Sequence, residues 1–258
     1  MATEQCDEGS ALGREAHALI RARDYAAAGP VLERALALDP ESAMLAHAKA
    51  HLCIDSGAFQ EGAAFLRPYL RDHDPFEGVN VHTSWHLASI ELELGRPEEA
   101  LDWHRRVVAP TLSPMTYSSA VSLIWRLEVA GYGGAHLRPD WELLHAADPG
   151  PESTSHLDEI ARAMTCIACA DAPGLAGVRA RLADAGAGDA VAGEVVLPLV
   201  EALHAYWRGD FPDAAGSLEA LAPQLGRLSE FPDQLGVFQE TQRRAQALSS
   251  LSSGCASS

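Results

Sequence analysis

Four histidines stand in two matched pairs, His47-x-x-x-His51 and His82-x-x-x-His86. Residues four apart share one face of a helix, with Cβ atoms about 5–6 Å apart, so each pair sets two imidazoles side by side. Imidazole exchanges a proton near neutral pH and ligates transition metals through its lone pair. His17 precedes His51 by the 34-residue interval of the repeat described below, so up to five imidazoles are expected along one groove.

Three chemistries stay open for this set. The histidines could be ordinary polar residues packed between helices. They could form a proton-transfer cluster, with His51 and His86 moving the proton and His47 and His82 orienting them. They could hold a divalent metal through His47, His51, His82 and His86. Lys49 stands between His47 and His51, and its charge counts against the metal. So does the absence of an HExxH pattern or of an adjacent carboxylate pair.

Other residues on the same helices could line a ligand pocket with His17: Trp85, Met44, Cys53 and Ser89. Thr83 and Ser84 extend that mixture, which is closer to a small-molecule pocket than to a peptide clamp. Asp55, Glu91 and Glu93 could orient histidines but read more simply as solvated or salt-bridged carboxylates. Cys166-x-x-Cys169 has no second pair to complete a zinc site and no strand leading into it, so both are read as structural thiols. The tryptophans at 85, 103, 125, 141 and 207 fall at helix-packing positions. The sequence holds no phosphate loop, no G-x-S-x-G elbow and no dinucleotide fingerprint. No cofactor is implied by a motif, and a divalent metal is the one group the residues themselves suggest.

Alanine and leucine dominate the elements that must position these side chains, and no stretch alternates like a strand. Breakers and periodicity predict helix pairs at 10–22 and 25–38, 42–56 and 59–72, and 80–94 and 97–108. Further pairs are predicted at 114–130 and 139–147, 154–170 and 173–185, and 190–208 and 212–225, with a last helix over 232–249. Residues 1–8 and 249–258 read as disordered ends around one domain over 9–248.

A repeat runs through these pairs. Arg23-Asp24-Tyr25-Ala26-Ala27-Ala28 returns as Gly57-Ala58-Phe59-Gln60-Glu61-Gly62, as Gly95-Arg96-Pro97-Glu98-Glu99-Ala100 and as Gly209-Asp210-Phe211-Pro212-Asp213-Ala214. A glycine suits a left-handed helix end, Asp24 or Asp210 can cap the next helix, and a small residue at 28, 62, 100 and 214 lets two helices approach. This pattern resembles the tetratricopeptide repeat. It implies an all-α, right-handed superhelix of about six helix pairs with a C-terminal capping helix, whose first helices line a concave face.

Two stretches are more specific. His47-Ala48-Lys49-Ala50-His51-Leu52 before the 57–66 turn, and His82-Thr83-Ser84-Trp85-His86-Leu87-Ala88 before 93–101, resemble the tetratricopeptide repeat protein 38 family. The segment 120–128 and, more faintly, Gln234-Leu235-Gly236-Val237-Phe238 resemble it too. The resemblance covers roughly residues 40–245 and implies a relative shortened at the N-terminus. A histidine that the family carries before its C-terminal motif falls here near Pro232. The resemblance implies no reaction.

Composition bounds the function. The 258 residues hold 19 Lys plus Arg against 36 Asp plus Glu, a net charge of −17. Such a chain repels phosphate backbones and anionic membranes, so nucleic-acid and membrane partners are not expected. No apolar stretch reaches the ~18–20 residues of a membrane helix, and the start has no basic, apolar leader pattern. Five scattered cysteines suggest reduced thiols and a cytoplasmic protein. The expected function is ligand binding in a histidine-lined concave pocket. The alternatives are an isomerase, cyclase or lyase using that pocket, or a scaffold holding a protein or peptide in the groove.

Overall fold

The computed structural model describes residues 2–150, 155–229 and 232–255, with side chains described from Glu8 to Leu251. It is all helical: 82% of the chain lies in helices, and the described residues contain no strand. Among the described residues thirteen α-helices follow in order: α1 Ala2–Arg21, α2 Tyr25–Leu38, α3 Ala43–Ser56, α4 Phe59–Asp72, α5 Asn80–Glu93, α6 Pro97–Trp103, α7 Tyr117–Leu127, α8 Arg138–Ala146, α9 His156–Ala168, α10 Ala172–Ala185, α11 Leu197–Trp207, α12 Phe211–Leu221 and α13 Pro232–Cys255. No described helix is long and apolar enough to cross a membrane.

The predicted pairs fall close to these helices, because Gly, Pro and Asp punctuate the chain where the backbone must turn. Five turns share one bond pattern. The amides of Asp24, Ala58, Arg96, Asp171 and Asp210 each donate to the carbonyl five residues earlier, on Leu19, Cys53, Glu91, Cys166 and Ala205. In each, the preceding residue is left-handed: Arg23 (φ 61°), Gly57 (74°), Gly95 (71°), Ala170 (57°) and Gly209 (83°). This is the six-to-one closure that satisfies the last carbonyls of a helix before the next begins. The turn at Ala170 was not among the predicted repeats, since neither glycine nor an aromatic marks it.

Elsewhere the structure differs from the expectation. Wider π turns continue α6 over His104–Val108, follow α7 over Glu128–Tyr132 and precede α11 over Ala192–Val196. The start expected to be disordered is helical from Ala2, and α13 runs past 249 to Cys255. Once a helix is nucleated, each added residue gains a hydrogen bond for one residue fixed, which favours such extension. Met1 and residues 256–258 lie outside the described residues, as do 230–231 beside the expected Pro232 position.

Contacts gather the chain into two compact units, Met1–Thr111 and Leu112–Ser258, where the sequence suggested one domain. The break falls where Pro110 and Pro114 prevent a helix from running through. In the first unit, α1 packs on α2 and α3, α3 on α4 and α5, and α5 on α6. Alanines 46, 48 and 50 are buried on α3, and their small side chains let its neighbours approach. Ala63, Leu66, Leu70, Leu87 and Ile90 form the core beneath α4 and α5. In the second unit, α7 packs on α9 and α13, and α9 on α10 and α11. Its centre is aromatic, with the Trp125 ring centroid 6.3 Å from Trp141 and 5.3 Å from Trp207. Trp125 and Trp141 are buried, while Trp103, packed on the apolar core of the first unit, and Trp207 are half-buried. Cys53, Cys166 and Cys169 are free thiols.

Candidate metal centre

The two histidine pairs meet. Because α3 packs directly on α5, the face carrying His47 and His51 lies against the face carrying His82 and His86. His47 is 4.6 Å from His51, 5.2 Å from His82 and 5.1 Å from His86, centroid to centroid. His86 is 4.4 Å from His51 and 4.5 Å from His82. One nitrogen from each of the four rings can be chosen so that all lie within 4.8 Å of one another. Around a tetrahedral ion at about 2.0–2.1 Å, four nitrogens sit about 3.3–3.4 Å apart. Side-chain shifts of roughly an ångström would bring the four nitrogens to that spacing.

Burial grades across the set. His51 and His86 are buried, while His47 and His82 are half-buried and form the rim. Desolvation pushes His47 down to about 2, helped by the nearby His51, His82 and His17. Desolvation and His17 push His51 down to about 4. Both are neutral imidazoles at ordinary pH, the form that binds a metal. Neither ring nitrogen of His47 has a hydrogen-bond partner among the described residues, although both are buried. An unsatisfied buried polar atom costs about 1–3 kcal/mol, and a ligand or ion at this point would remove that cost.

Trp85 walls the cluster. Its ring stacks on His82 at 5.2 Å with 14° between planes and lies 4.9 Å from His86. Ser89, one turn along the same face, is buried. Ser89 Oγ and Trp85 Nε1 both lack hydrogen-bond partners among the described residues. Thr83 and Ser84 return their hydroxyl protons to the carbonyls of Val79 and Asn80, so they serve their own helix and not a pocket.

Three expected members stand apart. His17 is half-buried beside a pocket of about 430 Å³ that it lines with Arg14, Asp39, Ser42, Met44 and Ala48. It acts on His47 and His51 through charge but is not one of the four converging rings, so the expected five-histidine stack reduces to four. Met44 is exposed at that pocket, on the α3 face that also carries His47 and Ala48. Cys53 is a correction. It lies two residues past His51, roughly 200° around the helix, in a separate cavity with Lys49, Tyr25 and Glu61. Burial pushes its thiol up to about 11.

Lys49 is the second correction. Its ammonium ion-pairs with Glu61 in that other cavity, so the charge placed beside the histidines in sequence is turned away from them. Glu91 is buried and held by Arg67 at 2.5 Å and Arg96 at 3.2 Å, two arginines whose side chains stay partly exposed. Glu93 is exposed. Spacing did not single out His104, a fully buried imidazole on the π turn after α6.

Set against protein-family models, curated proteins and solved structures, the chain matches none. The site itself must carry the functional reading.

Proposed function

We propose that this chain is a helical-repeat protein that holds a divalent transition metal on His47, His51, His82 and His86 and binds a small ligand beside it. The supporting observation is the convergence of four ring nitrogens within 4.8 Å, with both nitrogens of His47 buried and unsatisfied. Neutral nitrogen donors without a carboxylate suit zinc, copper, nickel or iron in the borderline range. They leave the ion's charge uncompensated, which favours an anionic ligand such as a carboxylate. The 430 Å³ pocket lined by His17 and Ala48 is of ligand size and carries Arg14, with Asp39 on the same wall, to meet a carboxylate.

The fold belongs to the same proposal. Five turns with one bond pattern support tetratricopeptide-like pairs, about six of them in a right-handed superhelix capped by α13. The resemblance to the tetratricopeptide repeat protein 38 family rests on the segments that carry these histidines. Cofactor-free acid–base catalysis by His51 and His86 is the second reading. Its support is the depression of His51, since strongly shifted groups gather at functional sites. A cytoplasmic location and a protein or peptide in the groove remain compatible expectations.

Metal analysis separates the readings. The chain, purified without a histidine tag and offered zinc, is expected to retain it and to melt several degrees higher, because binding to the folded state alone stabilises it. The His51→Ala/His86→Ala variant should bind less zinc and lose part of that increment. Equal metal content and equal zinc-induced stabilisation in variant and wild type would sink the metal reading.

A further inference from the structure

The second unit holds another set of converging donors, drawn from three elements. His145 lies in the last turn of α8, Cys166 in the last turn of α9, and Asp171 is the N-cap of α10. One donor atom of each lies within 4.8 Å of the other two. His145 Nε2 is 3.4 Å from Asp171 Oδ2, and Cys166 Sγ is 4.0 Å from the same oxygen. Around a tetrahedral zinc ion with Zn–N and Zn–O near 2.1 Å and Zn–S near 2.3 Å, these pairs would stand about 3.4 and 3.6 Å apart. The nitrogen–oxygen separation is already there, and the sulfur has a few tenths of an ångström to move.

Three features fit a ligand set better than an ordinary cap. Asp171 divides its oxygens: Oδ1 accepts the Gly174 amide at 3.0 Å, which leaves Oδ2 to face His145 and Cys166. Gly174 keeps the space clear, since a Cβ there would fall 2.1 Å from Asp171 Oδ2 and 2.9 Å from Cys166 Sγ. His145 Nδ1 is buried without a hydrogen-bond partner among the described residues, so no visible acceptor commits the ring to another role. A nucleophilic triad would need Asp171 to orient the far nitrogen of His145 while the near one met the thiol. Here one carboxylate oxygen faces both groups.

We propose that His145, Cys166 and Asp171 form a second metal site, selective for a borderline-soft divalent ion such as zinc or cobalt. One thiolate and one carboxylate balance the ion's two charges, unlike the four neutral imidazoles of the first unit. Three protein ligands leave a fourth position for water. The site does not depend on the histidine centre.

Cobalt reports on it selectively, because a thiolate ligand gives a sulfur-to-cobalt charge-transfer band in the near ultraviolet and an all-imidazole site gives none. Titrating the reduced full-length chain with cobalt should raise this band to saturation. Cys166→Ser should abolish it, and Cys169→Ser, the other half of the C-x-x-C, should leave it unchanged. Asp171→Asn keeps a competent N-cap, so its circular dichroism should stay native. Its cobalt affinity should fall by more than the ~10–100-fold that losing an outer-shell partner costs. A wild-type titration with no band, a band that survives Cys166→Ser, or undiminished affinity in Asp171→Asn would overturn the assignment.

Discussion

Lys49 pairs its ammonium with the carboxylate of Glu61, on the side of α3 away from His47 and His51, although it stands between those histidines in sequence. The pair isolates the imidazoles from the one lysine of the chain. Lys49→Met should therefore leave zinc affinity within about twofold. Glu61 is exposed and stays hydrated when its partner is removed, so losing this pair should cost no more than about 1 kcal/mol. Calorimetric titration and urea unfolding of the same variant check both halves, and a large gain or loss of zinc affinity would show that Lys49 acts on the site.

The histidines make stability depend on pH in a defined direction. His51, held down to about 4, and His47, held down to about 2, are neutral in the fold and regain a pKa near 6.5 when the chain unfolds. Below about pH 6.5 the unfolded chain binds more protons, so their contribution is full above that pH and falls as pH drops toward 4. Each group contributes up to ~1.4 kcal/mol per pH unit in the window. His82 and His86 belong to the same cluster, and His17 acts on it through charge. Urea midpoints of the metal-free protein should drop between pH 7.5 and 5, and a His47→Leu/His51→Leu variant should drop less. An equal drop in both would place the acid sensitivity elsewhere.

Backbone strain at the repeat turns gives a paired prediction. Arg23 and Ala170 hold left-handed φ values of 61° and 57° at positions where other turns use glycine. A side chain in that region costs about 1–2 kcal/mol, partly offset by the greater freedom glycine has when unfolded. Ala170→Gly should raise stability by some tenths to 1 kcal/mol, while Gly57→Ala, with open space around its Cβ, should lower it by about 1 kcal/mol. Thermal melts of the two single variants should move in opposite directions.

Most helix ends were legible because short-range chemistry sets them: a breaker, a cap, a small residue at a close approach. Ala170 was not legible as a turn, because it takes by context a conformation that its type does not announce. The meeting of His47 and His51 with His82 and His86 was half legible. The four-residue interval fixes each pair, but which face of α5 meets α3 depends on how the helices pack. Cys53 and Lys49 show the limit of placing residues by helix membership alone, since two positions further along is the opposite side. His145, Cys166 and Asp171 come from three elements, and no spacing rule connects them.

The last helix is pinned by a buried side-chain bond. Trp125 Nε1 on α7 donates to Thr241 Oγ1 on α13 at 3.1 Å, and Arg126 beside it ion-pairs with Glu240 at 3.1 Å. Thr241→Val leaves the buried indole N–H without its acceptor and should cost about 1–3 kcal/mol. Thr241→Ser keeps the hydroxyl and should recover most of that loss in guanidinium unfolding. Equal losses in both would point to packing of the methyl group and not to the hydrogen bond.

The histidine centre can be read directly from the X-ray absorption spectrum of zinc bound to the Cys166→Ser chain, in which the second site is disabled. Four imidazoles should give a first shell of nitrogen at about 2.0–2.1 Å, with strong outer-shell scattering from the rings that weakens in His51→Ala/His86→Ala. A shell containing sulfur, or ring scattering from two imidazoles or fewer, would contradict a metal held by His47, His51, His82 and His86.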